Sequence, residues 1–300
     1  MYLAPLNKSS AKKKWRIRLF IGVMIAYPLV HFSVFWLYVN FNSIALAFQD
    51  VDIWTQQTFF STANFEAVFR SIMRDAPIQN TIINSLLFFP VTCLITIPLS
   101  MLFSYFLFKK MPMSNAFRVI FFLPSIMPVA TLTFAFSMPF NRHFGFIFNE
   151  SINWFGASPY SQIIVFAYCI WAGLGFNIVL MSGAMGRVPQ EVVESAQLDG
   201  ITMRKEFTHI MIPLIWPTIV TSFILAMTSV LTVFLQPLLL TEGHPNGASS
   251  TISLAIFEAV SGRGDLGFAA AFGLSMSLIF APIIMITRHF LSKIWSGVEF

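Results

Sequence analysis

The sequence predicts an all-α polytopic membrane protein with six transmembrane helices, and three observations carry that prediction. Hydrophobic residues make up 56% of the 300 residues. Charged residues make up only 10%, against about 25% in ordinary soluble domains. The charged residues also cluster, which leaves six runs of more than 20 residues without Asp, Glu, Lys or Arg. This composition excludes a soluble enzyme, a disordered chain and a secreted disulfide scaffold.

Each of the six uncharged runs is long enough to cross a bilayer, since a transmembrane helix needs about 20 mainly apolar residues. Backbone N–H and C=O groups must find partners within their own segment in lipid, so we expect these runs to be helical. The six runs are Leu19–Gln49, Ala76–Phe108, Val119–Asn141, Ser151–Gly186, Phe207–Thr241 and Leu266–Thr287.

The first run also has two features of a signal peptide. Basic residues precede it, and Ala45-Leu46-Ala47 resembles a cleavage site. Its apolar region, however, is about twice as long as the roughly 7–15 residues usual in signal peptides. We therefore predict an uncleaved first transmembrane helix over residues 19–48. A basic tail (residues 1–18) precedes this helix, and a loop (residues 49–77) follows it.

The distribution of basic residues predicts the orientation of the chain. With six helices, both termini lie on one side of the membrane. That side would carry 14 of the 18 Lys and Arg residues, and the other side only four: Arg70, Arg74, Arg142 and Arg263. Cytoplasmic segments are enriched in Lys and Arg, so both termini are predicted to be cytoplasmic. The net charge of +5 is then a topology signal, with membrane lipid rather than nucleic acid as the expected partner.

The sequence does not indicate an enzyme. The six runs contain no carboxylate for a proton relay, and the chain contains no Gly-Lys pair, which a P-loop requires. The segment Gly262–Gly267 matches G-x-G-x-x-G but lies in a loop before the last run. A serine nucleophile at Ser249 would lie at the opposite end of the membrane from His289, beyond hydrogen-bond reach. No catalytic residue, metal site or cofactor is therefore predicted.

The loop between the fourth and fifth runs is unusually polar, because seven residues of Arg187–Glu206 are charged. Pro189 suits the first position of a helix, and Gly200 suits the left-handed position after its end. The pattern predicts a surface helix of about 11 residues. Its apolar side would consist of Val192, Val193 and Ala196. From the charge pattern alone, a solvated helical linker is the favoured interpretation.

Two motifs relate the chain to a family. Glu194-Ser195-Ala196-x-x-Asp199-Gly200, followed after nine residues by Ile210-x-Ile212-Pro213, resembles the EAA motif of binding-protein-dependent ABC importer permeases. Ser195 and Ile212 are mild departures from it. Leu240–Pro245 followed by Thr251 resembles the LT-x-GGP…T stretch of the carbohydrate permeases, with His244 in place of the second glycine. The resemblance implies a permease core over residues 78–290 and cytoplasmic residues 291–300.

This resemblance implies a type I ABC importer permease fold in a bacterial cell membrane, and it implies several partners. They are a second permease subunit forming a heterodimer, a cytoplasmic ABC ATPase dimer and an extracellular solute-binding protein. ATP would be bound by the ATPase, so the permease would need no cofactor of its own. The resemblance also implies that the surface helix docks on the ATPase through Pro189, Glu191, Glu194, Ser195, Ala196, Asp199 and Gly200.

The substrate pathway is expected in the fourth and fifth runs, because the family's sugar site corresponds to the surroundings of Gly173, Phe176 and residues 229–233. Val230 and Val233 replace the asparagines that the maltose permease uses there, so maltose-type contacts are not expected. The candidate pathway residues are Trp171, Gly173, Phe176, Asn177, Thr228, Ser229, Thr232 and Gln236. For each polar member, interhelical packing is the alternative role.

The outer loops 50–75, 142–160 and 242–265 are the expected landing surface for the binding protein. Two other functions remain open at this point. One is an ABC permease for a non-sugar solute, such as a phosphodiester or a peptide. The other is an ion-driven secondary transporter that would work without an ATPase. The sequence does not specify the solute.

Overall fold

The computed structural model describes residues 8–51, 58–140, 154–243 and 247–294, and helices dominate these residues. In four places a helix is long and apolar enough to cross a membrane. Two further pairs of helices meet this condition only when each bent pair is taken as one span. The described chain therefore contains between four and six candidate membrane spans.

The first candidate span is a long helix with little cover from the rest of the chain. It comprises α1 (Lys8–His31), a π-helical stretch (Phe32–Leu37) and α2 (Tyr38–Ala47). Nearly all side chains from Lys13 to Ala45 are exposed. Apolar side chains such as Phe35 and Trp36 therefore face lipid or another subunit.

A small hairpin follows α2 and marks one end of the bundle, called the hairpin end below. Its strands β1 (Gln49–Val51) and β2 (Thr58–Phe60) pair antiparallel, with Asp50 opposite Phe59. The amphipathic helix α3 (Ala63–Arg74) comes next. Asn64 at its start donates hydrogen bonds to the carbonyls of Ala47 and Gln49, 3.3 and 2.8 Å away. These bonds tie the hairpin to the end of α2.

The second candidate span coincides with the uncharged run Ala76–Phe108. It consists of α4 (Ala76–Val91), a π-helical stretch (Thr92–Thr96) and α5 (Ile97–Phe108). The wide turns of a π-helix rotate the following residues relative to an α-helix and often occur at functional sites.

The third predicted helix is sharply bent. It comprises α6 (Ser114–Ile126) and α7 (Val129–Ser137), which meet at 110° and lead into a short 3₁₀ turn (Met138–Phe140). Pro128 lies at the junction; it has no backbone N–H, and it disfavours helical geometry at Met127, where ψ is 143°. The prediction of one helix over Val119–Asn141 therefore becomes a bent pair, and Asn141 lies outside the described residues.

The fourth span, α8 (Tyr160–Met185), begins later than the uncharged run Ser151–Gly186. The surface helix α9 (Gln190–Leu198) follows it and marks the other end of the bundle, called the α9 end below. The α9 helix has nine residues rather than about 11, because Pro189 is its N-cap, with ψ of 131°, and not its first helical residue.

The fifth predicted helix is divided into several pieces. After α10 (Met203–Glu206), a π-helical stretch and the short α11 (Ile212–Leu214), the chain bends by 74° at Ile215. The long helix α12 (Trp216–Thr232) follows, and a second break separates it from α13 (Leu235–Thr241). The run Phe207–Thr241 is therefore helical in several pieces that are separated by bends and breaks.

The last part of the described chain consists of α14 (Ile252–Ser261) and α15 (Leu266–Ile294). The α15 helix contains the whole sixth uncharged run and packs against α2, α3, α12 and α14. Apolar clusters lie at both ends of the bundle. Met181, Met185 and Met211 belong to the cluster at the α9 end, and Ile252 and Phe272 to the cluster at the hairpin end.

Candidate functional site

A cavity of about 380 Å³ lies near the middle of the long helices. Thr92, on its wall, is half-way along the helix Ala76–Phe108, and Gly173 is close to the middle of α8. Helices α6, α7 and α12 and the start of α13 complete the lining. The volume falls within the range of about 300–1,000 Å³ typical of small-molecule sites.

The lining of the cavity is mainly apolar, with aromatic rings and several polar groups, and it has no charged side chain within the described part of the chain. Phe88, Tyr168 and Phe176 provide aromatic rings, and hydroxyl and amide groups lie between them. These polar lining residues are Thr92, Thr96, Ser125, Asn177, Ser222, Ser229 and Gln236. The wall can therefore form neutral hydrogen bonds and stacking contacts with a ligand, and it offers no ion pair.

Local features of two helices shape this cavity. The π-helical stretch on the second span begins and ends with the two lining threonines, Thr92 and Thr96. On α8, a Cβ atom at Gly175 would lie 2.5 Å from the carbonyl oxygen of Phe121. Only glycine therefore lets α8 and α6 approach this closely, which brings Ser125 to the wall.

One lining hydroxyl is fully buried and has no hydrogen-bond partner within the described chain. Ser222 Oγ is buried and unpaired there, whereas Ser229 donates to the carbonyl of Ala226 at 2.7 Å. The amide of Asn177 donates to the carbonyl of Gly173 at 3.0 Å. A buried polar atom without a partner is unfavourable, so the burial of the Ser222 hydroxyl has a cost in stability.

Five of the eight residues proposed for the pathway line this cavity: Gly173, Phe176, Asn177, Ser229 and Gln236. Trp171 does not line it and stacks on Phe136, with ring centroids 5.6 Å apart. Thr228 and Thr232 also lie off the wall, and each donates to a carbonyl one turn earlier in α12. The assignment of these three residues to the pathway stays a prediction.

Sequence reasoning missed several lining residues. Thr92 and Thr96 are polar positions four residues apart in an apolar run, and this spacing could have revealed a shared face. Ser125 and Ser222 gave no such signal, because their position depends on how α6 and α12 pack against α8.

At the α9 end, most of the residues proposed for docking are accessible. Glu191, Glu194, Ser195 and Asp199 are exposed, and Ala196 and Pro189 are half-buried. Val193 packs inward, which anchors α9 to the bundle. Leu198 is 89% exposed, and Gly200 has the predicted left-handed conformation, with φ of +73°. The α9 helix therefore presents a mixed acidic and apolar face.

An ion pair attaches the segment after α9 to the end of the second span. Lys109 Nζ lies 2.6 and 2.8 Å from the two carboxylate oxygens of Glu206, whose side chain is only 2% exposed. Tyr105 donates a hydrogen bond to the carbonyl of Met203 at 3.3 Å and packs its ring against Phe207. Met203 follows Gly200 by three residues, so this attachment lies directly after α9 in the chain.

The loop after α13 is largely buried, which changes one prediction. Ser249, Ser250 and Thr251 are nearly inaccessible, and α14 contributes to the core. Much of the expected landing surface 242–265 is therefore covered, and its exposed residues are Glu242 and most of 257–265. Of the loop 142–160, residues 142–153 lie outside the described chain. Ser249 donates to Thr241 Oγ1 at 2.7 Å, consistent with a structural role.

Comparisons with known proteins agree with these features. The family described as "binding-protein-dependent transport system inner membrane component" matches residues 96–296. The multiple sugar-binding transport system permease protein MsmF of Streptococcus mutans is 26% identical over 89% of this chain and 92% of its own length. The arabinooligosaccharides permease protein AraP of Halalkalibacterium halodurans is 25% identical over 90% of this chain and 86% of its own.

Solved structures share the fold. A bacterial ABC transporter involved in the import of the acidic polysaccharide alginate aligns with a TM-score of 0.79. The alignment covers 95% of this chain and 99% of that chain at 18% identity. The same type of transporter, in complex with an alginate pentasaccharide-bound periplasmic protein, aligns with a TM-score of 0.77 and 19% identity, over 96% of this chain and 99% of that chain. With the family match spanning two thirds of its length, the chain belongs to the inner membrane components of binding-protein-dependent transport systems.

Proposed function

We propose that this chain forms half of the transmembrane pathway of an ATP-driven importer for a neutral saccharide. The observation that carries this proposal is the mid-span cavity, whose described lining combines aromatic rings with hydroxyl and amide groups and has no charged side chain. Saccharides present many hydroxyl groups and apolar ring faces, and such a wall matches both. The relatives MsmF and AraP are named for sugar transport, which supports the same class of solute.

The absence of charge from the described lining favours a neutral solute over an acidic one. Binding a carboxylate inside the membrane requires a basic partner, because an unpaired buried charge is strongly unfavourable. The structural relatives import an acidic polysaccharide, but 18% identity supports a common fold only. We therefore assign neutral oligosaccharides to this chain and keep non-sugar solutes as the alternative.

For the topology, we propose six membrane crossings with both termini in the cytoplasm. The four long helices provide four crossings, and the two bent helix pairs provide the other two. The excess of Lys and Arg on the proposed cytoplasmic side, 14 of 18, supports this orientation. Reagents that label single cysteines from one side would test it. Labelling of Leu198→Cys from outside would contradict it.

We further propose that α9 docks on an ABC ATPase and transmits its movement to the membrane helices. The exposed acidic residues Glu194 and Asp199, the exposed Leu198 and the left-handed Gly200 support a docking face. The ATPase would bind the ATP, and a second permease subunit would complete the pathway in a heterodimer. The family description itself requires a solute-binding protein.

The experiment that tests this function uses the permease co-purified with its partner permease and ATPase, in liposomes that contain ATP and with the binding protein outside. Uptake would be measured for a panel of neutral oligosaccharides, uronic acid oligosaccharides, phosphodiesters and peptides. We expect ATP-dependent uptake of a neutral oligosaccharide. Uptake of an acidic solute alone would overturn the solute class. Uptake by the permease without the ATPase, driven by an ion gradient, would overturn the importer mechanism.

A further inference from the structure

Asn84 forms an unusually complete set of hydrogen bonds at the hairpin end. Its buried amide nitrogen lies 2.9 and 2.8 Å from the carbonyls of Gly247 and Ala248 and 3.3 Å from that of Ser250. Its amide oxygen accepts a hydrogen bond from Gln162 on α8 at 2.7 Å. One side chain on α4 therefore holds the segment 247–251 and connects it to α8.

The segment held by Asn84 in turn contacts both ends of the short helix α13. Thr251 Oγ1 donates to the carbonyl of Val233, just before α13, at 2.6 Å. Ser249 Oγ donates to the hydroxyl of Thr241, the last residue of α13, at 2.7 Å. The position of α13 is thus tied to the position of the segment 247–251.

The break between α12 and α13 explains why these contacts are needed. Val233 has ψ of 114°, which ends α12 and deprives preceding carbonyls of helical donors. Within a membrane, such carbonyls require other partners. Thr251 provides one for Val233, and Ser253 provides one for Leu231. The helix α13 is therefore positioned by side chains from another part of the chain and not by continuity with α12.

Two residues positioned by these contacts lie on the cavity wall. Val233, just before α13, and Gln236, the second residue of α13, line its wall, whereas Asn84 does not. Asn84 lies two turns of helix before Thr92, on the same span. Asn84 holds the segment 247–251 through its carbonyls, and Thr251 in this segment donates to the carbonyl of Val233. These hydrogen bonds connect Asn84 to the part of the wall at Val233 and the start of α13.

We propose that Asn84 is a positioning residue for the solute site: through the segment 247–251, it sets the position of Val233 and Gln236 in the cavity wall. The proposal rests on the proposed function of the cavity, since it gives Asn84 an effect on solute affinity. It makes no use of direct contact between Asn84 and the solute.

Two pairs of variants test this role. Asn84→Asp keeps the shape of the side chain but replaces the donating amide with an acceptor that faces three carbonyls. Asn80→Asp makes the same change at an exposed asparagine one turn earlier on α4 and serves as its control. Thr251→Val removes the donor to Val233 with little change in shape, together with the weaker N-cap bond that the hydroxyl accepts from Leu254 N–H at 3.4 Å. Thr251→Ser keeps the hydroxyl for both bonds. If Asn84→Asp fails to assemble, the Thr251 pair still tests the proposal.

The first measurement is structural and needs no known solute. Spin labels at Leu239→Cys on α13 and Ile163→Cys on α8, both exposed positions, report their separation in the assembled transporter after Cys93 and Cys169 are replaced with serine. We expect a second distance population in Asn84→Asp and Thr251→Val. Asn80→Asp and Thr251→Ser should keep the original distribution. An unchanged distribution in both Asn84→Asp and Thr251→Val would overturn the proposal.

The second measurement is uptake of the solute that the panel above identifies. We expect KM to rise about tenfold in Thr251→Val, the change that corresponds to the loss of one buried hydrogen-bond partner, with kcat unchanged. Thr251→Ser should restore KM. A displaced α13 with an unchanged KM would contradict the positioning role. If the panel yields no transported saccharide, the proposed function fails, while the distance measurement still decides whether Asn84 positions α13.

Discussion

The two ends of the second span hold their neighbouring segments by different means. At the α9 end, an ion pair between Lys109 and Glu206 attaches the segment that follows α9. At the hairpin end, Asn84 donates hydrogen bonds to carbonyls of the loop before α14, and Ser85 accepts one from the N–H of Ile252, the first residue of α14. The first attachment depends on one pair of charges, and the second is spread over several weaker bonds. Losing one partner should therefore be more damaging at the α9 end.

The largest loss of stability is expected when Lys109 is replaced. In Lys109→Met, the carboxylate of Glu206 remains buried without its cation, and removing one partner of a buried ion pair costs about 3–5 kcal/mol. Glu206→Met should cost less, because Lys109 is 15% exposed and its long side chain can reach water. Thermal unfolding of the purified transporter measures both variants.

Two further variants control for this interpretation. Lys110→Met makes the same change at the neighbouring exposed lysine and should leave the unfolding temperature unchanged. The double variant Lys109→Met/Glu206→Leu replaces the pair with apolar groups and should recover most of the lost stability. Equal losses in Lys109→Met and Lys110→Met would show that the buried pair is not the cause.

The next largest losses of stability are expected at two glycines in the left-handed conformation, one at each end of the bundle. Gly247 has φ of +74°, and a Cβ there would lie 3.0 Å from the carbonyl of Pro77. Gly200 has φ of +73° with open space around it. An alanine in this conformation costs about 1–2 kcal/mol, so Gly200→Ala should lose about that much. Gly247→Ala should lose more, because the crowding adds to the strain. A smaller loss of unfolding free energy for Gly247→Ala than for Gly200→Ala, measured by chemical denaturation, would contradict this expectation.

A smaller effect on stability is expected at the cavity, which lies between the two ends of the bundle. Ser222→Ala removes a buried hydroxyl that has no partner within the described chain. Since an unpaired buried polar group is unfavourable by about 1–3 kcal/mol, stability should stay the same or increase slightly. If Ser222 binds the solute, KM for uptake should rise in the same variant. A clear loss of stability would indicate a partner that the cavity geometry does not reveal.

The smallest effect on stability is expected at Glu194, on the exposed face of α9. Glu194→Lys should change the free energy of unfolding by no more than about 0.5 kcal/mol, as is usual for surface substitutions. Uptake and co-purification of the ATPase should nevertheless fall sharply, because the charge on the proposed docking face is reversed. Gln197→Lys, at another exposed position of α9, is the control. Normal uptake with a firmly bound ATPase in Glu194→Lys would remove the docking assignment.

Some features of the fold could be predicted because they depend on local sequence. The run Ala76–Phe108 coincides with a helix, because length and hydropathy alone decide whether a segment can cross lipid. The left-handed Gly200 was also predictable, since few other residues adopt that conformation easily. The bend at Pro128 was not predicted, although proline marks the position. An uncharged run indicates that a segment lies in the membrane, but not that it is straight.

The candidate site was only partly predictable. Gly173, Phe176, Asn177, Ser229 and Gln236 line the cavity, and they lie in the two runs where the family resemblance placed the pathway. Thr228 and Thr232 lie in the same part of α12 as Ser229 and, like it, donate to carbonyls of their own helix, but only Ser229 lies on the cavity wall. The face of a helix that meets a cavity depends on the rotation of that helix in the bundle. A hydropathy pattern without charges leaves this rotation undetermined.

The sequence by itself therefore determined the membrane environment, the family motifs and the exposed polar helix near Gly200, because these follow from composition and residue spacing. Only the tertiary structure decided that Lys109 meets Glu206, that Asn84 holds the segment 247–251, and that Ser222 faces a cavity. Each of these contacts joins residues that are far apart in the chain. Their pairing depends on how the helices pack. Any apolar face of a helix is equally stable against lipid, so only specific contacts between helices select one arrangement.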